Sequence, residues 1–385
     1  MNINLKGAGG GQSAGGAEPQ AGAAQQLTPH EIYAKLGEDV IGQPFAKKIL
    51  AVALYNHLKR INYRGPVRLE KSNILMIGPT GSGKTLLART MAKIMGVPFV
   101  LGNATSLTES GYVGEDVESL LTRLLQKANQ DVELAQKGVV FIDEIDKLVP
   151  KNPLEGVSTT GVQADLLKLL EGTEVEVPKS GVLKSARTDF VTMDTSRILF
   201  ITAGAFKNLE EIIAKRVRPG FHPTLAKEKV DPGAYVRQIT PEDLIQFGLI
   251  SELVGRLPVV VPLASLTRDD LVRILTEPTS SLVKQYQELM AMDSVNLSFS
   301  DESLGAIAEA AIGEGSGARG LRRIMEEVML DLMFKLPSRP YLKNCIVTEE
   351  RVALALSQRT RRRAARQGQI CHLIQEDDSE GLLDL

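Results

Sequence analysis

The sequence predicts an α/β protein in which helices flank a parallel β-sheet, followed by a smaller, mainly helical α+β domain. Short apolar runs such as 74–77 and 139–142 alternate with segments of helical periodicity, which is typical of strands buried on both faces of a parallel sheet. Towards the C-terminus helical patterns dominate, and apolar side chains recur three and four positions apart in 321–336. Residues 151–162 and 172–189 lack such periodicity, so we expect irregular structure there.

The length of the chain predicts more than one folded domain, since 385 residues exceed an ordinary single domain. We expect residues 1–27 to form a disordered arm, because this Gly-, Ala- and Gln-rich segment has few large apolar side chains to bury. Residues 28–263 are predicted to form the large α/β domain and residues 264–357 the small one. Residues 358–385 carry a run of arginines followed by acidic residues and are predicted to be a charged tail.

Composition narrows the classes of partner. The formal net charge of −2 gives no general attraction to nucleic acid. Cys345 and Cys371 are far apart, and the four histidines are scattered, so neither a disulfide framework nor a metal cluster is predicted. No apolar run reaches the length of a membrane span, and the start lacks a signal-peptide core. We therefore expect a cytoplasmic protein with no membrane or nucleic-acid partner.

The clearest chemical signal is a glycine-rich turn between an apolar run and a helical pattern. Its residues are Gly78, Pro79, Thr80, Gly81, Ser82, Gly83, Lys84 and Thr85. They fit the spacing G-x-x-x-x-G-K-[ST], in which backbone N–H groups and a helix N-terminus surround a phosphate. Lys84 is predicted to contact the β- and γ-phosphates, and the Thr85 hydroxyl to bind Mg²⁺. A turn that merely joins strand and helix would not need every one of these positions, so the sequence predicts a nucleoside-triphosphate site.

Two carboxylates follow the apolar run 139–142, about sixty residues after this loop. At the end of a buried strand, Asp143 is predicted to hold Mg²⁺, largely through water, and Glu144 to orient and polarise the attacking water. The alternative is an acidic turn that caps the next element. The pairing of the two acids with a phosphate loop favours hydrolysis.

Positive charge is also needed where the terminal phosphate bond breaks. Arg256, within 254–258, and Arg319, within 317–322, lie in glycine-containing segments that could supply it. Spacing alone does not distinguish either residue from a surface or structural arginine.

Several motifs occur together and in order, and from about residue 28 to residue 357 they give the chain a family resemblance. They are Val40-Ile41-Gly42-Gln43, Gly78 to Thr85, Asn103 to Asp116, Phe141 to Lys147, and Gly317 to Arg322. The combination closely resembles the ClpX family, the AAA+ unfoldase subunits of the Clp protease. The more distant HslU family shares the plan but fits less well.

The resemblance implies a homo-hexameric ring with ATP bound between neighbouring subunits. In that arrangement Val40 and Ile41 would line the adenine pocket, and Leu86 would complete the ATP-binding segment that begins at Gly78. Arg256 matches the finger that reaches the γ-phosphate of the neighbour. The two sensors of nucleotide state would be Arg319 in the small domain and Thr202 in the large one.

The resemblance also implies a central pore that grips polypeptide. Tyr112 and Val113 match the aromatic and aliphatic residues of an axial loop, and Val157 would be the contact of a second loop near 155–160. Flanking glycines let such a loop move, and apolar contact grips a side chain without reading its sequence. As a bare pattern, Tyr112 and Val113 would instead be assigned to a turn with a core aromatic.

Three features depart from the family pattern. The family's N-terminal zinc-binding domain has no counterpart here, which leaves adaptor binding open. The pore-entrance loop has Val182-Leu183-Lys184 with Arg187 nearby and is therefore less basic. The apolar-Gly-Phe tripeptide that docks a peptidase appears as Pro219-Gly220-Phe221, so Gly220 and Phe221 are candidate contacts with a Clp-type peptidase.

The leading hypothesis is an ATP-dependent unfoldase and translocase for unfolded or tagged proteins that feeds a Clp-type peptidase. A stand-alone remodelling chaperone stays open within the same class. An AAA+ motor on DNA is disfavoured by the near-neutral charge and the aromatic pore loop. An ATP-gated scaffold is disfavoured because it has no need of Glu144.

Overall fold

The structure, a computed structural model, describes residues 27–108, 115–149, 156–179, 189–217, 237–339 and 341–366. In chain order the strands are β1 (Ile74–Ile77), β2 (Phe99–Asn103), β3 (Leu107–Thr108), β4 (Glu115–Asp116), β5 (Val139–Asp143), β6 (Glu174–Pro178), β7 (Phe190–Asp194), β8 (Leu199–Gly204), β9 (Val259–Pro262), β10 (Asn296–Phe299) and β11 (Asn344–Val347). The helices are α1 (Pro29–Asp39), α2 (Pro44–Asn62), α3 (Lys84–Met95), α4 (Ser119–Lys127), α5 (Val132–Ala135), α6 (Gly156–Glu171), α7 (Leu209–Val217), α8 (Pro241–Phe247), α9 (Ser251–Gly255), α10 (Arg268–Thr276), α11 (Leu282–Met292), α12 (Asp301–Gly313), α13 (Ala318–Lys335) and α14 (Glu349–Arg366).

A parallel sheet forms the centre of the larger part, as predicted. Its strand order is β2-β5-β8-β1-β9, and every neighbouring pair is parallel. All residues of β1 and β8 are buried, because apolar side chains point to both faces of a sheet that is covered on both sides. Since the strands are parallel, the segments that follow β1, β5 and β8 emerge at one edge of the sheet.

Two hydrophobic cores hold the helices on the faces of this sheet. On one face α1, α2 and α3 pack through buried residues such as Ile32, Leu54 and Met91. On the other face α4, α6, α7 and α8 pack through residues such as Leu120 and Leu166. These layers confirm the predicted α/β class.

The smaller part has its own core and is mainly helical, as predicted. Helices α10 to α14 surround it, and β10 pairs with β11 in a short parallel ribbon. Helix α13 buries one face, and its methionines Met325 and Met329 are fully enclosed core residues rather than a surface binding box. The chain enters this part directly after β9, through residues 263–267.

Two local expectations were wrong. Residues 172–189 were predicted to be irregular, but β6 in this segment pairs with β7 in an antiparallel ladder. Pairing between two segments leaves no periodicity in either sequence, so the sequence analysis did not detect it. The predicted loop 151–162 is helical from Gly156. Tertiary packing of the buried Val162 and Gln163 stabilises helix before the predicted start at Gln163. Helix α14 ends at Arg366 and so includes the first residues of the predicted charged tail, 358–385.

In the described ranges, no helix has both the length and the apolarity that crossing a bilayer would require.

Candidate nucleotide-binding and hydrolysis site

The glycine-rich loop lies between the buried strand β1 and the first residue of α3. Gly81 has φ +78°, in the left-handed region that favours glycine, and a Cβ there would lie 2.5 Å from the carbonyl oxygen of Ser316. A Cβ on Gly78 would lie 2.6 Å from the carbonyl oxygen of Leu263. Both glycines are therefore required by close approach of the chain that leads into and through the small domain.

Lys84 is drawn into this loop. Its Nζ donates hydrogen bonds to the carbonyl oxygens of Gly78 at 2.7 Å and Pro79 at 2.9 Å. Burial lowers the pKa of Lys84, and the carboxylate of Asp143 opposes that shift. The ammonium group of Lys84 thus bonds to two loop carbonyls. A bound phosphate would take their place as its hydrogen-bond acceptor.

The paired acids lie at the end of β5, on the same edge of the sheet. The backbone N–H of Glu144 donates to Oδ1 of Asp143 at 2.9 Å, and Glu144 has φ +62°. This left-handed conformation turns the chain sharply after the strand. Beyond it, the buried Asp146 accepts hydrogen bonds from the backbone N–H groups of Ala205 and Phe206, which fixes the acidic turn to the end of β8.

The small domain reaches this site through the start of α13. Nη2 of Arg319 lies 3.9 Å from Oδ2 of Asp143. The backbone N–H of Ala318 donates to the carbonyl of Gly81 at 3.4 Å. An arginine from one domain therefore faces the acids and phosphate loop of the other.

A cleft of about 490 Å³ opens between the two domains beside the phosphate loop. Val40, Ile41 and Leu86 line it from the large domain, and Leu282 and Leu321 line it from the small domain. Its apolar walls and the adjoining loop N–H groups suit a nucleotide, with the base in the cleft and the phosphates in the loop.

Thr202 lies one strand away from the loop, within β8. Its side chain is fully buried, and its hydroxyl donates to the carbonyl of Ile74 at 3.3 Å. It pairs in register with Leu75 and Ile142, two positions before the end of β8. The hydroxyl is thus bonded within the sheet, and a sensor role for Thr202 stays a prediction.

Arg256 lies at the opposite edge of the sheet from the phosphate loop. Its carbonyl accepts a 2.8 Å hydrogen bond from Nδ2 of Asn73, which directly precedes β1, whereas Gly78 directly follows β1. Those five residue steps span about 16 Å, more than an arginine side chain can reach. The guanidinium instead forms an ion pair with Glu171, with Nη2 2.9 Å from Oε1.

Oxygen ligands for a hard cation are present beside the loop. Thr85 is half-buried at the start of α3, and Asp143 keeps Oδ2 directed towards the site. The buried Ser82 hydroxyl has no hydrogen-bond partner among the described residues, so it is available to bond a ligand in the loop. A carboxylate and a hydroxyl, completed by phosphate oxygens and water, fit Mg²⁺. Within the described ranges no group of three or more His, Cys, Asp or Glu could hold a metal without such help.

Other predicted residues lie outside the described part of the chain. They are Tyr112, Val113, the segment 182–187, Gly220 and Phe221. The backbone of Val157 belongs to the first turn of α6 rather than to a loop, and its side chain is not described.

Three polar residues that bond to the site or to Arg256 were not assigned a role from sequence. Asp146 and Gln43 belong to motifs already quoted, and each bonds to backbone groups far away along the chain. Glu171 ends a helix and gives no sequence signal of its pairing with Arg256.

Phosphate loop, paired acids and a small helical domain that contributes an arginine define an ATPase of the AAA class. Consistent with this, the family model of the AAA domain (Cdc48 subfamily) matches residues 69–260. A second family model, described as the C-terminal, D2-small domain, of ClpB protein, matches residues 266–348. Two curated proteins named ATP-dependent Clp protease ATP-binding subunit ClpX are each 48% identical to the chain. The protein from Treponema denticola aligns over 84% of this chain and 81% of its own length, and that from Borrelia duttonii over 84% and 78%. The chain belongs to the ClpX family.

Proposed function

We propose that this chain is the ATP-driven subunit of a ring that unfolds proteins and translocates them into a Clp-type peptidase. The observation that carries the proposal is the separation of Arg256 from the phosphate loop of its own subunit by the full length of β1. Arg256 is half exposed and is held at its backbone by the buried Asn73. An arginine fixed in this way can reach an ATP site only on another copy, which supports the proposal of a homo-hexamer.

Within one subunit, Lys84 would leave the carbonyls of Gly78 and Pro79 to bind the β- and γ-phosphates. Thr85 and Asp143 would hold Mg²⁺, which when bound neutralises charge on those phosphates. Glu144 would orient and polarise the attacking water.

Arg319 and Arg256 would both stabilise the charge that develops at the γ-phosphate, the first from the small domain and the second from the neighbour. Loss of that phosphate removes the attraction on Arg319. The small domain would then rotate about residues 263–267, and this rotation is the work step.

The polypeptide contacts would be Tyr112 and Val113 on one pore loop and Val157 near a second. The support for this is the family membership together with α6, whose first turn contains Val157 and whose last residue, Glu171, pairs with Arg256. One helix thus runs from a proposed polypeptide contact to Glu171, the ion-pair partner of Arg256.

Partnership with a peptidase is supported by the names of the relatives, which are subunits of an ATP-dependent Clp protease. Gly220 and Phe221 would be the docking residues. If Pro219 prevents docking, the same motor would act as a remodelling chaperone.

The decisive experiment is degradation of a tagged fluorescent protein, measured with and without a Clp-type peptidase. ATP-dependent loss of fluorescence without peptidase would demonstrate unfolding, and appearance of peptides only with peptidase would demonstrate feeding. The Phe221→Ala variant should unfold at the normal rate and lose degradation. ATPase activity that DNA stimulates and unfolded protein does not would instead indicate a DNA motor.

A further inference from the structure

We propose that Gln43 is a positioning residue that ties the phosphate loop to the chain connecting the two domains. The proposal deepens the proposed function, because it names a residue through which nucleotide binding and domain rotation would be coupled. Gln43 contacts neither the acids nor the arginines of the site. It acts through the backbone of two other segments.

The amide of Gln43 bonds three backbone groups. Its Nε2 donates to the carbonyl of Ala264 at 2.8 Å and to the carbonyl of Ser82 at 3.3 Å. Its Oε1 accepts from the N–H of Ala264 at 3.0 Å. Ala264 lies 221 positions away in the connection between β9 and α10, and Ser82 lies in the phosphate loop. One side chain, 7% exposed, therefore joins the two segments.

The backbone of Gln43 is unusual for a residue with a long side chain. It has φ +52° and ψ +44°, in the left-handed region, immediately before α2. For a residue other than glycine this conformation costs on the order of 1 kcal/mol. The conformation directs the amide into the space between Ser82 and Ala264. The hydrogen bonds formed there offset the backbone strain.

The bond to Ser82 bears on phosphate binding. In a planar trans peptide the carbonyl oxygen and the following N–H point in opposite directions. A hydrogen bond that holds the Ser82 carbonyl towards Gln43 therefore turns the N–H of Gly83 away from Gln43. This orientation fixes a loop donor before the nucleotide arrives, which lowers the ordering cost of binding an anion.

The paired bonds to Ala264 bear on the domain connection. Gln43 satisfies both the N–H and the C=O of that residue, as a neighbouring strand would. The preceding residue, Leu263, donates to the carbonyl of Ile77 at 2.7 Å, and its own carbonyl crowds Gly78. Any rotation that displaces Ala264 must therefore stretch the hydrogen bonds between Ala264 and the Gln43 amide. Because the same amide bonds the Ser82 carbonyl, the rotation also disturbs the phosphate loop.

The test uses Gln43→Met, which keeps the length of the side chain and removes every hydrogen bond. The matched control is Gln163→Met. Gln163 is also a buried glutamine with two backbone bonds, to the Leu148 carbonyl and the Ile250 N–H, but it touches neither the loop nor the connection. We expect Gln43→Met to weaken ADP and ATP binding by about tenfold, because of the three hydrogen bonds lost, the one that orients the phosphate loop bears directly on affinity. Gln163→Met should leave both affinities within about twofold of the unsubstituted chain.

A second measurement begins with the unsubstituted chain, so its first result does not depend on whether a variant folds. Hydrogen exchange on the full chain should show ADP protecting residues 263–267 as well as residues 78–85. In Gln43→Glu, which keeps the acceptor for the Ala264 N–H but loses both donors, protection of 263–267 should no longer follow ADP. Unchanged affinity in Gln43→Met, or equal losses in both methionine variants, would overturn the inference, as would ADP protection confined to 78–85. If the unsubstituted chain hydrolyses ATP but fails to unfold a tagged protein, the proposed function fails while these affinity and exchange results still decide the role of Gln43.

Discussion

Arg256 and Glu171 are 85 positions apart in sequence, yet Nη2 and Nε of the arginine lie 2.9 and 3.2 Å from the same carboxylate oxygen of the glutamate. Both side chains are about half exposed, so the pair adds at most about 1 kcal/mol to stability. Asn73 donates to the carbonyls of both Leu170 and Arg256, which fixes the two backbones beside each other. The consequence of the pair is therefore orientation of the guanidinium rather than stability.

Replacing Glu171 should impair hydrolysis without impairing nucleotide binding. In Glu171→Gln the guanidinium loses its charged partner and samples more rotamers, so we expect kcat for ATP to fall roughly fivefold, since about 1 kcal/mol of orientation is lost. The KM for ATP should stay within about twofold, because Arg256 is proposed to stabilise charge that develops in the transition state, and the loop that binds the phosphates is untouched. The measurement is steady-state ATPase activity together with a thermal melt.

The control for this variant is Glu277→Gln. Glu277 also pairs with an arginine, Arg273, but on the surface of the small domain. It should leave kcat unchanged. Equal effects of the two substitutions, or a change in KM alone, would contradict a positioning role for Glu171.

Complementation between subunits should reveal on which site Arg256 acts. Lys84→Ala subunits have a defective phosphate loop but an intact Arg256, and Arg256→Ala subunits have the reverse. If Arg256 serves the neighbouring site, mixtures of the two contain interfaces with both residues intact. ATPase activity of an equal mixture should then exceed the mean of the two separate variants several-fold. Activity equal to that mean would show that Arg256 does not act across an interface.

The water-activating role proposed for Glu144 predicts a variant that binds ATP without consuming it. Glu144→Gln keeps the shape of the side chain and removes its basicity, so hydrolysis should fall by at least about 10²-fold. Nucleotide binding should be retained, because the amide still fits and Lys84 is untouched. Single-turnover hydrolysis and equilibrium ATP binding measure the two separately. Loss of binding in parallel with loss of hydrolysis would assign Glu144 to the ligand-holding set instead.

The sequence predicted those parts of the site that a short stretch of chain builds alone. The phosphate loop needs only a strand, glycines at strained positions and a helix N-terminus, and Asp143 with Glu144 needs only the end of one buried strand. By contrast, the contacts of Gln43 with Ala264 and of Glu171 with Arg256 join distant segments. Neither partner shows a periodicity or motif that names the other, because their proximity results from the order of strands in the sheet.

The same physical reason explains the local errors in the fold. The strands β6 and β7 are short, and the residues between them are more numerous than in a tight hairpin turn, so the sequence gives no register for pairing them and their mutual hydrogen bonds define them. The early start of α6 depends on Gln163, whose amide bridges Leu148 and Ile250. Tertiary contacts thus override weak local preference at both places.

Removing the predicted pore aromatic should separate ATP consumption from mechanical work. Tyr112→Ala leaves Lys84, Asp143 and Glu144 intact, so ATPase activity should remain within about twofold of the unsubstituted chain. Unfolding of a tagged fluorescent protein should fall at least tenfold, because truncation to Ala removes most of the apolar grip, roughly 1.5–3 kcal/mol for one large side chain. Tyr33→Ala is no suitable control, since Tyr33 packs against the core, whereas Tyr341 is exposed and Tyr341→Ala should change neither activity. Normal unfolding by Tyr112→Ala would refute the pore assignment.

Acid should destabilise the large domain through His57, which α2 places inside the protein. The side chain is 5% exposed, and its Nε2 has no hydrogen-bond partner among the described residues. Burial, with help from Arg60 and Lys71, lowers the pKa of His57 from 6.5 to about 3. Between those two values the unfolded chain binds a proton that the folded chain excludes, so stability falls as the pH drops below 6.5.

At pH 5 the loss of stability from His57 should be about 2 kcal/mol, measured by urea unfolding at pH 7 and 5. His57→Gln should abolish that share of the loss, whereas His30→Gln, at an exposed position in α1, should retain it. Identical pH dependence in all three proteins would show that His57 becomes protonated without cost in the folded state.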